Sequence, residues 1–414
     1  MLNLHRDVKL LLLSRGLRAF AFSYMNVVFA IYLNRIGYST LMIGIIHSVA
    51  YFSGALFSAV WGFLSDRYGR KKILILLAVL TILSTSIYLF STHLLWILLS
   101  VVMVNVGAGG SAGGGQGGGS FNPVEQALLA EKCAAEERNR IFSTMSFVGS
   151  VLGSLGALVS GLPEYLQQRR AWDPIDSYKP LFALTILCSF ALIFIYQAIH
   201  EEHRPSATKR ILSKQSSSFV TKLSLLAIVD NMGAGMLGPL LSYWFFLRYG
   251  VELKALGVMF FLSYFLAAIS FLLAPIIASR IGVVRTMVFS HAAASFLYLI
   301  LPFAPTFFVA ASLMIVRSFL AYMDNPLRES FTMAMVKSEE RGSAAGVTHL
   351  ARVVPFGVSP TLSAYIMQSL SLNVPVLIGA SLQLTHDFTF YFLFRHVKPP
   401  EERMKGQRGQ EVKR

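Results

Sequence analysis

The sequence of residues 62–72 is Gly-Phe-Leu-Ser-Asp-Arg-Tyr-Gly-Arg-Lys-Lys. This stretch joins two long apolar runs, residues 41–63 and 73–90. Each run is close to the ~20 residues that a helix needs to cross a bilayer. Short basic loops between membrane helices collect on the cytoplasmic side. The stretch therefore predicts two membrane helices that are joined by a tight cytoplasmic turn.

The pattern Gly-x-x-x-Asp-Arg-x-Gly-Arg-Lys-Lys between a second and a third membrane helix resembles the signature of the major facilitator superfamily of secondary transporters. The resemblance implies an all-α membrane protein with twelve transmembrane helices in two pseudo-symmetric six-helix bundles. It also implies a substrate site near the midplane between the bundles. The implied function is secondary transport of a small solute by alternating access.

The composition agrees with a membrane protein and argues against a nucleic-acid-binding protein. The chain is 55% hydrophobic, only 14% charged, and has a mean hydropathy of +0.59. Its net charge is +15, but most Lys and Arg residues fall in alternate loops and at the two termini. That asymmetry follows the positive-inside rule and predicts an integral plasma-membrane protein with both termini in the cytoplasm.

The apolar runs predict twelve spans and divide the chain into two halves. The spans are predicted at residues 10–33, 41–64, 73–90, 94–131, 140–162, 178–199, 223–247, 255–278, 286–301, 306–336, 342–368 and 374–394. We expect a first six-helix half over residues 1–199, a polar cytoplasmic linker over 200–222, a second half over 223–395 and a cytoplasmic tail over 396–414.

The two halves repeat each other in sequence. Asn122-Pro123 recurs as Asn325-Pro326, and the triplet Glu-Glu-Arg at 136–138 recurs at 339–341, both 203 positions later. Parallel repeats of this kind are what the resemblance implies. The second copy of the loop is degraded, because Ser279 stands where Asp66 stands in the first copy.

The loop and the repeated Asn-Pro segments predict an inner gate. In related transporters the loop aspartate contacts the start of the eleventh helix, whose free N–H groups favour a negative charge. The alternative is a solvated turn for the loop, and structural ion pairs for the Asn-Pro segments. The predicted gate residues are Asp66, Arg67, Arg70, Glu125, Arg138, Arg328 and Glu329.

Ionisable groups inside membrane helices are costly and are therefore functional candidates. The resemblance implies which helices line the cavity, and some of these groups lie near the middle of those helices. We predict that these groups handle substrate or protons. The alternative is that they form structural ion pairs. They are Arg18, Asp230, Arg317, Asp324 and Arg352. Asp230 is the first choice of protonatable carboxylate and Asp324 the second, whereas Arg15 and Asp387 are predicted to lie nearer the inner surface.

Prolines predict hinges in three of the spans, at Pro123, Pro239 and Pro326. Proline inside a helix removes a backbone hydrogen bond, and broken helices are a recurring transporter device; simple packing accommodation is the alternative. Residues 107–119 include nine glycines. This run predicts either close helix packing or an irregular bulge, because glycine has a low helix propensity.

The sequence predicts no enzyme, no cofactor and no metal site, since His47, His291 and His349 lie singly on three spans. The fifth span carries Gly149 and Gly153 but lacks the proline of the full antiporter motif. The favoured function is proton-coupled export of small organic molecules by a monomer in the lipid bilayer. The alternatives are proton-coupled uptake of an organic anion, suggested by the midplane arginines, and a receptor that binds without transport.

Overall fold

The computed structural model describes residues 6–104, 119–132, 138–201, 214–324, 327, 328, 331 and 341–395. Within these ranges every regular element is helical. Eight helical stretches are long and apolar enough to cross a membrane, and two shorter helices are also apolar. The described residues therefore form an all-α membrane fold.

The described residues in the first part of the chain, up to residue 201, form eight α-helices. They are α1 (Arg6–Arg35), α2 (Thr40–Tyr68), α3 (Arg70–Phe90), α4 (Leu94–Met103), α5 (Asn122–Glu131), α6 (Arg138–Val159), α7 (Leu162–Arg170) and α8 (Lys179–Gln197). The predicted fourth span is represented by α4 and α5, and most of the glycine run between them lies outside the described residues.

The described residues of the second half, from residue 214, form eight more. They are α9 (Lys214–Leu237), α10 (Leu241–Tyr249), α11 (Leu253–Ile281), α12 (Val283–Ile300), α13 (Phe307–Tyr322), α14 (Arg341–Val353), α15 (Ser359–Ser369) and α16 (Val374–Phe394). Short 3₁₀ segments, Gly238–Leu240 and Val354–Gly357, interrupt the predicted seventh and eleventh spans.

The prolines fall into two situations. Pro239 lies within the 3₁₀ segment between α9 and α10, so the seventh span is broken there. Pro123 lies in the first turn of α5 and not inside a long helix, so our expectation of an internal kink was wrong. Proline is well tolerated in a first turn because the backbone N–H there needs no helical partner. Pro326 lies outside the described residues.

The halves contact each other along two helix pairs, α6 with α11 and α2 with α15. Glycines bring the backbones together. A Cβ atom at Gly257 would lie 2.8 Å from the Ala157 carbonyl oxygen, and one at Gly44 would lie 2.6 Å from that of Pro360. These close approaches position the two halves against each other.

Polar bonds join the halves at one end of the bundle, which we call the closed end. The Tyr243 hydroxyl lies 3.1 Å from Asn34 Nδ2 and 3.0 Å from Thr40 Oγ1. The Leu41 amide donates to Gln368 Oε1 over 2.9 Å. All of these bonds run between the first and the second half.

The loop between α2 and α3 lies at the other end, which we call the basic end. Gly69 supplies the turn with a φ of +100°, a conformation that favours glycine. Arg70 Nη1 lies 2.5 Å from Glu131 Oε1. Glu201 accepts from the backbone amides of Arg70 and Lys71, over 2.6 and 2.9 Å. These bonds attach the loop to residues of the first part of the chain.

Candidate functional site

The first half buries a charge cluster, which we call the Glu125 cluster. Arg18 Nη2 lies 2.5 Å from Glu125 Oε2, and both side chains are fully buried. Ser14 Oγ donates to the other carboxylate oxygen over 3.0 Å. Arg15 Nη1 lies 3.7 Å from Glu125 Oε2 and also donates to Asn122 Oδ1. Two guanidinium groups therefore neutralise one carboxylate without any added proton.

The ring of Phe121 completes this cluster. The Arg18 guanidinium carbon lies 4.7 Å from the ring centroid, a cation–π contact. Arg18 Nε and Nη1 nevertheless have no hydrogen-bond partner. The sequence assigned Arg18 to substrate or proton handling and Glu125 to a gate. The structure joins the two residues in a single ion pair between α1 and α5.

The second half buries a longer chain of hydrogen-bonding groups, which we call the His291 chain. His291 on α12 lies between two carboxylates: Nδ1 is 2.7 Å from Asp387 Oδ1, and Nε2 is 3.6 Å from Asp230 Oδ1. Ser295 donates to Asp387 Oδ2 over 2.9 Å. Asp230 Oδ1 has no hydrogen-bond partner among the residues that the structure describes. The imidazole thus links α9 to α16.

The chain continues from Asp387 toward the end of α13. His386 Nδ1 lies 3.0 Å from Asp387 Oδ1, and its Nε2 lies 3.1 Å from Arg328 Nη1. Arg328 binds Asp324 Oδ2 through Nε and Nη2, over 3.0 and 2.6 Å. The side chains from Asp230 to Asp324 therefore follow one another across four segments of the second half.

Three side chains of this chain are spaced like metal ligands. Donor atoms of Asp230, His291 and His386 all lie within 4.8 Å of one another. The Arg328 guanidinium, however, lies against His386 Nε2. Arg is always a donor and always charged, so it occupies the imidazole lone pair and places a positive charge beside it. Both effects oppose a metal ion at these three residues.

Arg317 is half-buried and differs in its surroundings from the arginines of the two clusters. Its guanidinium carbon lies 4.2 Å from the centroid of the Tyr298 ring, and Nη2 is 3.4 Å from Gln383 Oε1. Its Nε has no hydrogen-bond partner. This arginine on α13 has spare donor capacity that an anionic ligand could use. Arg352, the other predicted midplane arginine of the second half, lies half-buried on α14.

Almost the whole chain matches the sequence model of one protein family. The model of the major facilitator superfamily matches residues 11–221 and 223–413. The chain belongs to the major facilitator superfamily. Members of this superfamily transport small molecules across membranes, and the membership predicted from the loop signature is confirmed.

Relatives of this superfamily chain include proteins of several organisms. An uncharacterized membrane protein of Saccharomyces cerevisiae is 23% identical over 429 aligned residues, covering 95% of each chain. The multi-drug resistance efflux pump PmrA of Streptococcus pneumoniae is 26% identical over 203 residues, covering 49% of this chain and 47% of the pump.

A solved structure of the same superfamily agrees in fold. The crystal structure of a D-xylose–proton symporter superposes with a TM-score of 0.71 at 14% identity, covering 93% of this chain and 97% of the symporter. At that identity the likeness shows a shared fold and carries nothing about substrate.

The predicted gate residues lie in different places in this transporter. Asp66 and Arg67 are exposed at the basic end, and Asp66 Oδ1 lies 3.5 Å from Arg70 Nη2. The predicted partners of Asp66, the Arg138 side chain and the start of α14, have side chains outside the described residues, and so does the predicted gate residue Glu329. Arg328, also predicted for the gate, belongs to the His291 chain.

The sequence missed most members of the His291 chain. His291 was read as isolated, Asp387 as shallow, and His386 was not considered. The adjacent pair His386-Asp387 within the apolar α16 was the available signal, because two neighbouring ionisable groups in a membrane span need partners. Their partners lie 96 and 58 positions away in sequence, which spacing alone does not reveal.

Proposed function

We propose that this superfamily member is a proton-coupled exporter of small organic molecules. It would work as a monomer in the plasma membrane with both termini cytoplasmic, the halves at 1–199 and 223–395 being joined by the linker at 200–222. The observation that carries the proposal is the Asp230 carboxylate on α9, which lies beside a histidine and has an oxygen without a hydrogen-bond partner. Buried titratable groups of this kind mark proton pathways in transporters.

Two further observations support export by alternating access. The halves are bonded to each other at the closed end through Tyr243, whereas the basic loop is bonded to its own half through Glu131 and to the start of the linker through Glu201. Opening the closed end therefore requires breaking contacts between halves. The similarity of half the chain to a multi-drug efflux pump supports export of organic molecules.

The proposal is tested with purified protein in liposomes. A pH gradient is imposed and the transport of ethidium, a lipophilic cation, is followed by fluorescence. We expect gradient-driven transport by the wild type and none by Asp230→Asn, which removes the charge but keeps the shape. The matched control is Asp176→Asn, an exposed carboxylate paired with Lys179, which should transport normally.

Two results would count against the proposal. Transport that is independent of the pH gradient in the wild type would exclude proton coupling. Binding of ethidium without any flux would favour the receptor reading, because a sensor needs a site but no cycle.

Arg317 favours the second candidate, uptake of an organic anion coupled to protons. Its partly unpaired guanidinium on α13 could bind a carboxylate or sulfonate through two hydrogen bonds. A thermal-shift screen separates the candidates, since a ligand that binds the native state raises its melting temperature. Stabilisation by organic anions that is lost in Arg317→Gln would support uptake of anions. Stabilisation by lipophilic cations that is lost in Asp230→Asn would support export.

A further inference from the structure

We infer that His291 carries the coupling proton, and that His386 is a fixed neutral link through which the charge of His291 acts on Arg328 and Asp324. The inference rests on the proposed proton coupling and assigns the group responsible for it. It goes beyond the sequence prediction, in which Asp230 alone was the first choice.

The state of His386 follows from its neighbours. Arg328 Nη1 lies 3.1 Å from His386 Nε2. Because a guanidinium has donors and no acceptor, this contact is a hydrogen bond only if Nε2 of His386 keeps its lone pair. The other nitrogen, Nδ1, then carries the hydrogen and donates to Asp387 over 3.0 Å. His386 is thereby held as a neutral imidazole while Arg328 stays in place.

His291 has no such restriction. Its Nδ1 donates to Asp387 over 2.7 Å, and its Nε2 faces the Asp230 carboxylate at 3.6 Å. A neutral His291 has one N–H and can satisfy only one of these two carboxylates. A protonated His291 donates from both nitrogens. The gap at Nε2 and the unpartnered Asp230 Oδ1 mark the position where the added proton makes its bond.

The charge balance of the His291 chain also favours a proton on His291. Among the described residues of the His291 chain, three carboxylates, those of Asp230, Asp387 and Asp324, are opposed by one guanidinium, that of Arg328, when both imidazoles are neutral. Uncompensated charge inside a membrane protein is costly, so a proton at His291 reduces an excess of negative charge. The groups that face His291 are Asp230 from α9 and Asp387 and His386 from α16, and the charge of Asp324, from the segment after α13, also acts on it.

The arrangement gives the proton a mechanical effect. With the proton on Nε2, His291 holds Asp230 and thus α9 to α12 and α16. Without that proton, Nε2 of His291 presents a lone pair to the Asp230 carboxylate, so no hydrogen bond holds Asp230 to His291. Asp230 lies about two turns before the break at Gly238–Leu240. Gain or loss of one proton at His291 therefore makes or breaks the bond that holds α9, just before its break, to α12 and α16.

The test separates proton coupling from substrate movement in liposomes. Gradient-driven ethidium transport requires coupling, whereas exchange of labelled for unlabelled ethidium without a pH gradient requires only binding and alternation. His291→Gln fixes this position as neutral, and His291→Arg fixes it as a cation. We expect both variants to lose gradient-driven transport, and at least one to keep exchange at near the wild-type rate. The control is His47→Gln, a buried histidine of α2 whose Nδ1 contacts the Ile43 carbonyl.

The outcomes are distinguishable. If the wild type and His47→Gln are coupled and either His291 variant remains coupled, the inference is wrong and the proposed function stands. If the wild type itself shows no coupling, the proposed function fails first. Should His291→Gln not fold, since it leaves Asp230 and Asp387 without the cation of a protonated His291, His291→Arg decides the question alone.

Discussion

Glu125 in the first half and Arg328 in the second occupy equivalent positions of the internal repeat, 203 residues apart, yet they carry opposite charges. Glu125 is bound by two arginines, at 2.5 and 3.7 Å. Arg328 is bound by Asp324 and extends through His386 toward two further carboxylates. The Glu125 cluster has more positive than negative groups, and the His291 chain has the reverse.

This difference assigns different tasks to the two halves. No histidine takes part in the described contacts of the Glu125 cluster, and its carboxylate is neutralised by guanidinium groups that stay charged at all physiological pH values. The His291 chain holds two imidazoles within an excess of carboxylates. Imidazole is the side chain whose charge changes most readily near neutral pH. A repeated fold thus carries a permanent ion pair in one half and a proton-responsive chain in the other.

The largest effect on stability is expected when the permanent pair is broken. Arg18→Gln leaves the fully buried Glu125 with only the more distant Arg15, and breaking a buried pair costs about 3–5 kcal/mol. Denaturant unfolding in detergent measures the loss. The matched control is Arg35→Gln at the closed end, whose exposed partner Glu252 is 3.4 Å away; an exposed pair contributes about 0–1 kcal/mol. Equal losses in the two variants would contradict a structural role for the Arg18–Glu125 pair.

Removing both members of that pair should restore much of the lost stability. In Arg18→Gln/Glu125→Gln no carboxylate is left uncompensated at this position, and neutral replacement of a buried pair is far less costly than removal of one partner. The free energy of unfolding of the double variant should exceed that of Arg18→Gln alone. A double variant that is less stable than the single one would show that the two residues act independently.

A smaller effect on stability, with a larger one on coupling, is expected for Asp387→Asn. The carboxylate accepts from His291, His386 and Ser295, and a lost or unsatisfied buried hydrogen bond costs about 1–3 kcal/mol. Unfolding in detergent gives the stability, and ethidium transport in liposomes gives the coupling. Normal gradient-driven transport by this variant would contradict the role of the His291 chain.

The smallest effect on stability is expected for Arg317→Gln. The one hydrogen bond that it makes within the described part of the chain, to Gln383, is long at 3.4 Å, and a polar contact between membrane helices averages about 0.6 kcal/mol. The melting temperature without ligand should therefore hardly change, whereas any stabilisation by organic anions should disappear. A large loss of stability would instead indicate that Arg317 is a structural residue.

The sequence predicted the family and the helical fold because both depend on local patterns. The basic loop between apolar runs is contiguous, and so is the apolar length of each span. The break at Pro239 was also readable, since proline and Gly238 lie together. Pro123 was misread because its position relative to the start of α5 depends on where the helix begins after the glycine run.

The chemistry of the second half was less predictable because it is assembled from separate helices. Asp230 and Asp324 could be nominated as buried carboxylates, but the imidazole that lies beside Asp230 comes from α12. His386 and Asp387 come from α16, at the far end of the chain. The sequence gives the depth of a residue along its helix. It does not give the neighbouring helix that the residue faces, and that decides its contacts.

The most direct test of the difference between the halves is proton movement driven by substrate. Liposomes that hold the transporter and a pH-sensitive dye are given an outward gradient of ethidium, and proton flux is recorded for the wild type, Arg18→Gln/Glu125→Gln and Asp387→Asn. We predict proton flux in the wild type. The double variant should also move protons, in the same ratio to the ethidium that it transports, even if its transport is slower. Asp387→Asn should move ethidium without protons. Proton flux that is lost in the double variant and kept in Asp387→Asn would contradict the account.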